Sequence, residues 1–320
     1  MNYNIILPID TLDSKISFKG NLIKDLVKDL KLALTNKDLL CIQDLSLELH
    51  ISGTKGFNKW LDTIIEFYIL NININNIYII PHIFNFINYW IRIDDDIKKK
   101  KPLDIVNDQV IRNFIFFMNW IICHSEYSPI DKNFKIMNMT TDDLNFKEMK
   151  KNDFLVSKNL NNVSKFIFND DPKEIIIPLS EICELLTNEH KNKLINLTYW
   201  FSWLLYYERT YHKSKLEVKY RNFNLIDDKF RTNWIVILLD IILHHSELYP
   251  VSIKKYIFYL VSIYSNIYSP KNKKTYGILI LFVFKLMSNP FNLPSINPKL
   301  FNEAYGYSAQ CNFHYKKNIE

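Results

Sequence analysis

The sequence predicts an all-α fold on three observations: apolar residues recur every fourth position, glycine is nearly absent, and one helix-ending pattern occurs twice. From Asn21 to Leu34 the stripe is Leu22, Leu26, Leu30 and Leu34, broadened by Ile23 and Val27, as an amphipathic helix requires. A second helix is expected from Lys37 to His50. Gly53 then stands where a left-handed helix stop is common, and a third helix is expected from Phe57 to Leu70 with Trp60, Ile64, Ile65 and Tyr68 inward. The run NININNIYII before Pro81 fits either a short strand or a connector into a helix reaching Trp90. Beyond Asn289, Pro290, Pro294 and Pro298 are spaced against regular helix, so the C-terminal tail is expected to be partly extended.

With 320 residues and 48% hydrophobic content, the chain is long enough for one large domain or two ordinary ones. Its Ile, Asn, Lys, Tyr and Phe are served by A/T-rich codons, so surface Asn and Lys partly record codon bias. Five glycines occur where average usage of about 7% would give roughly four times as many, and neither GxxxxGK[ST] nor GxGxxG is present. Phosphate-cradling loops are therefore not expected. Cys41, Cys123, Cys183 and Cys311 lie far apart, with neither zinc-ligand spacing nor a disulfide framework, and reduced thiols are expected. MNYNIILPID has no basic region followed by a long apolar run, so no secretory signal is expected. The longest apolar runs are interrupted by Asp240 and Lys285, so no membrane span is expected either. A net charge of +6 favours an anionic partner only weakly.

WIICHSEYSP, from Trp120, is echoed by IILHHSELYP, from Ile241, at an offset of 121. At the same offset Phe114, Phe117, Met118 and Ile121 fall on Ile235, Leu238, Leu239 and Ile242, an i, i+3, i+4, i+7 stripe in both copies. Tyr89-Trp90 matches Tyr199-Trp200 at an offset of 110, so the second copy carries 11 more residues between the two matches. The organisation expected is an arm (1–20), two related multi-helix halves (21–130 and 190–290), a polar linker between them (131–189) and a C-terminal strap (291–320). On a helix, residues i and i+2 point about 200° apart, so one copy of His-Ser-Glu cannot grip a metal by itself. Only convergence of His124 and Glu126 with His245 and Glu247 would make a metal site, and the pattern reads better as a helical elbow whose His suits the C-terminal dipole. Cys123 and His124 point about 100° apart, which argues against a nucleophile and its base. No cofactor and no catalytic residue is assigned.

The stretch that could bind a ligand is YYERTYHKSKLEVKYR, from Tyr206. There Arg209, Lys213, Lys215, Lys219 and Arg221 alternate with tyrosines, Tyr211 among them, the mixture of cations and stacking rings that single-stranded nucleic acid binding uses. The competing reading is a solvated lysine-rich loop.

Asp29 to Tyr68, together with TYWFSWLLYYE from Thr198 and NWIVILLDIIL from Asn233, resembles helical proteins of the large nucleocytoplasmic DNA viruses, the mimivirus-like group. NKDLLCIQDLSLELHISG, from Asn36, is also similar to the helical collar domain of clamp-loader-like AAA proteins, though the ATPase motifs are missing. The resemblance implies other viral proteins as partners, and the host cytoplasm, a viral factory or the virion as the setting. It supports a non-enzymatic adaptor of a replication or transcription assembly, with two alternatives: a structural or scaffolding virion protein, and a metal-dependent enzyme using the paired His-Ser-Glu motifs.

Overall fold

The computed structural model describes residues 15–17, 19–97, 107–127, 135–145, 155–156, 160–211, 216–269, 273–289 and 297–317. Among them the fold is all-α: eleven helices and no strand, with only two isolated β-bridges. None of these helices is long and apolar enough to cross a membrane. The chain divides into two compact units. Residues 1–78, 88–129 and 294–320 form the first, and residues 79–87 and 130–293 the second.

The first unit begins with α1 (Ile23–Asn36), α2 (Leu39–Ile51) and α3 (Gly53–Asn71). The stripe residues Ile23, Leu26, Leu30 and Leu34 of α1 are buried, as the four-residue spacing predicts. Lys37 stops α1 in the left-handed region at φ 55°, and the side chain of Asp38 caps α2 by accepting the Cys41 N–H at 3.1 Å. Gly53 takes φ 84°, the conformation expected of a helix stop, and α3 starts at that residue. A Cβ on Gly56 would overlap the carbonyl oxygen of Leu49, so α2 and α3 meet there by direct backbone approach. The NININNIYII run forms short 3₁₀ turns (Asn73–Ile79) and leads into α4 (Ile80–Ile97), whose first part belongs to the second unit. Asp108 caps α5 (Gln109–His124) through the N–H groups of Val110 and Ile111. In the core, Phe57 stacks on Trp60 with centroids 5.3 Å apart, while Trp60 meets Phe114 edge-on at 6.1 Å.

Within the C-terminal strap expected over 291–320 to be partly extended, the described part is a helix, α11 (Pro298–Lys317), which packs along α5. Pro298 occupies the first helical position, where its missing N–H costs nothing, and Asn297 accepts the Leu300 N–H at 3.2 Å as the cap. Pro290 and Pro294 lie outside the described residues.

The second unit contains α6 (Ile176–Thr187), α7 (Lys193–Tyr211), α8 (Ile235–Ser246), α9 (Val251–Ile267) and α10 (Lys273–Ser288). Helix α7 packs on α6 and α10, and α9 packs on α8 and α10, around Trp200, Trp203, Trp234, Phe282 and Phe284. The 131–189 segment is more than the polar linker expected. Met139, Leu144 and Val163 are buried, and α6 buries Leu179, Ile182, Cys183, Leu185 and Leu186 against α7. Asn- and Lys-rich flanks hide this helix in the sequence because they dilute the apolar signal of a window longer than the 12 residues of α6.

Candidate nucleic-acid interface

The basic-aromatic stretch starts on α7. Trp203, Tyr207 and Tyr211 follow one another at i, i+4, so their rings form a ladder: Trp203 stacks on Tyr207 at 4.8 Å, and Tyr207 meets Tyr211 at 4.7 Å. The inner end is fixed, because Trp203 Nε1 donates to the carbonyl of Asp143 at 2.8 Å. Tyr207 is buried, and Tyr211 has 38% of its surface exposed. Arg209, in the same last turn, is exposed. Lys213 and Lys215 lie outside the described residues.

From Glu217 the chain runs antiparallel to residues 231–233. Val218 N–H donates to Thr232 O at 2.9 Å, Arg221 N–H donates to Arg231 O at 3.1 Å, and Glu217 bridges to Asn233. This ribbon uses up Arg221. Its guanidinium pairs with the Asp171 carboxylate, donates to the Phe166 carbonyl at 3.2 Å, and lies 3.7 Å over the Phe168 ring. Asp171 is completed by the N–H groups of Phe168 at 2.7 Å and Lys219 at 2.9 Å. The fork of Arg221, a residue expected to contact phosphate, is directed at a buried carboxylate of its own chain. Lys219 sits 3.7 Å from the exposed Asp170, a looser pair. Tyr220 donates to Asp228 at 2.7 Å and accepts from Arg231 at 2.8 Å, so its hydroxyl is spoken for. Of the six residues singled out, Arg209 and Tyr211 are both exposed on the last turn of α7, two positions apart and so on opposite sides of the helix.

Both His-Ser-Glu copies stand at the C-terminal end of a helix, the second turning into α9 while the residues after Tyr127 lie outside the described ones, and the stripe residues matched between the copies are buried in both. His124 Nδ1 donates to Trp120 O at 2.9 Å and His245 Nδ1 donates to Ile241 O at 2.8 Å, the same i−4 bond at the same helix end. Their serines are buried but differently used. Ser125 receives Lys37 Nζ on its carbonyl at 2.7 Å and Asn76 Nδ2 on its hydroxyl at 3.0 Å, while Ser246 Oγ donates to Leu243 O at 2.6 Å. Glu126 is exposed, and Glu247 pairs with Lys254 at 2.5 Å. Among the described residues no group of three or more His, Cys, Asp or Glu is placed to hold a metal. Cys123 and Cys183 are buried, and burial pushes their thiols up to about 11 and about 12, away from the thiolate a nucleophile needs.

Sequence reasoning missed the Asp171–Phe168 receptor for Arg221, which lies some fifty positions upstream and announces itself by no local pattern. The aromatic ladder was visible in the four-residue spacing of Trp203, Tyr207 and Tyr211. No protein-family profile matches the chain, and neither a curated protein nor a solved structure does.

Proposed function

We propose that the protein is a non-enzymatic helical adaptor of a viral replication or transcription assembly, and that it touches single-stranded nucleic acid at the C-terminal end of α7. The observation that carries the nucleic-acid part is the presence of exposed Arg209 and of exposed Tyr211, whose ring follows the Trp203–Tyr207 stack, on the last turn of α7. An aromatic ring suits a base, and a long guanidinium side chain in the same last turn suits phosphate. The viral setting rests on the resemblance of residues 29–68 and of the α7 and α8 stretches.

The test is anisotropy of a labelled single-stranded oligonucleotide across a salt series. Each phosphate contact adds about −0.7 to the log-log salt slope, so Arg209→Ala should flatten it by about 0.7, and Lys213→Ala with Lys215→Ala by about 1.4. Tyr211→Ala should weaken binding by about 1 to 3 kcal/mol with little change of slope. Absence of binding at low salt, or full binding by the Arg209 and Tyr211 variants, overturns the assignment.

A further inference from the structure

The last turn of α8 carries two adjacent imidazoles against the chain segment that precedes α6. Phe166 is buried there, its ring edge-on to His244 at 5.4 Å and 6.1 Å from His245. Lys165 Nζ lies 2.5 Å from His244 Nε2. An ammonium has no lone pair, so Nε2 must be the acceptor and His244 must be neutral in this contact. His245 donates from Nδ1 to Ile241 O, which leaves its Nε2 as the atom that would take a proton.

The charges around the pair decide what a proton does. Lys165 comes from the Phe166 segment, Lys193 from α7, and Asp240 from one turn earlier on α8, where it also feels Arg221. Glu189 faces Lys193 rather than the imidazoles, and the Cys183 thiol of α6 faces Lys165 and Glu184. A proton on His244 Nε2 abolishes its acceptor role, sets it against the Lys165 ammonium and turns it toward Asp240. A proton on buried His245 adds a cation beside Lys165 and Lys193. Both events push the same segment away.

We infer that the His244–His245 turn is an acid-operated latch, holding the Phe166–Asp171 segment on α8 while both imidazoles are neutral and releasing it when they are protonated. Burial holds His245 below the ordinary histidine range, so its neutral form is the one the closed segment favours.

Hydrogen exchange of the full chain, corrected for intrinsic rates, tests this at about pH 7.5 and about pH 5.5. The amides of Phe166, Phe168 and Asp171, bonded to Val163 O, the Asp171 carboxylate and Phe168 O, are the reporters. Protection of these amides should fall on the order of tenfold at the lower pH while α9 and α10 keep theirs. The double variant His244→Gln, His245→Gln should remove the pH response. Should that variant fail to fold, Lys165→Gln at the surface serves instead: it should lower protection at the higher pH and blunt the further loss on acidification. Equal wild-type protection at both pH values, or an undiminished response in the variants, overturns the latch.

Discussion

Arg221 shows how a residue's surroundings override its type. Its guanidinium is satisfied by Asp171, whose side chain is fully buried, by the Phe166 carbonyl and by the Phe168 ring. Removing one partner of such a pair leaves a buried charge uncompensated, at a cost of about 3 to 5 kcal/mol. Arg221→Ala should lower the urea midpoint accordingly. Arg221→Lys should fall between it and wild type, because an ammonium keeps the charge and loses the planar fork and the stacking. A midpoint within error of wild type for Arg221→Ala would show that the clasp contributes nothing. Sequence spacing alone ranked Arg221 beside Arg209 because both alternate with tyrosines. The carboxylate that separates their roles is far away in the chain.

At the scale of elements, the close approach of α2 and α3 gives a direct test. Because a methyl group on residue 56 would collide with Leu49 O, Gly56→Ala must force the helices apart, and overpacking of this kind costs about 1 to 3 kcal/mol. Calorimetry should show a lower melting temperature, by about 2 to 4 °C for each kcal/mol, whereas Gly306→Ala on α11, where a Cβ meets nothing within 4 Å, should be neutral or stabilising. A neutral Gly56→Ala would mean that the two helices slide freely at their junction. Helices α1 and α2 were legible to within about two residues because their signals act within a turn of themselves, whereas α3, expected from Phe57, starts at Gly53, the residue read as the stop of α2. Helix α11 was not, since its residues gain order by packing on α5: Phe117 meets Tyr305 at 5.0 Å, and Ser308 Oγ donates to Asn113 O at 3.0 Å.

For the whole molecule, the acid limb of stability follows from buried histidines. Burial lowers His82 and His245 below their ordinary value, so the unfolded chain takes up protons first. Their contribution is complete above the unfolded value of about 6.5 and is lost as pH falls from there toward the lowered folded values. Asp62 and Asp240, raised by burial, act the other way: between the unfolded value of about 3.8 and their higher folded values, falling pH favours the folded state. Melting temperature should therefore be level between about pH 7 and pH 8 and decline below about pH 6.5, and His82→Gln with His245→Gln should flatten that decline. A chain ending at residue 297 tests the first unit separately: without α11 the amides of α5 should lose exchange protection while those of α9 and α10 keep it.

By itself the sequence determined the all-α class and the buried stripes shared by α5 and α8. Those features depend on interactions between residues three or four apart, and such spacing is written in the chain. Only the tertiary structure decided which polar residues were free to act. Glu48 is taken by Ser17 and Asn21, Arg112 reaches Asn312, and Arg221 reaches Asp171. Pairings across tens to hundreds of residues leave no periodic trace, because what selects them is the desolvation of each charged group once the helices close around it.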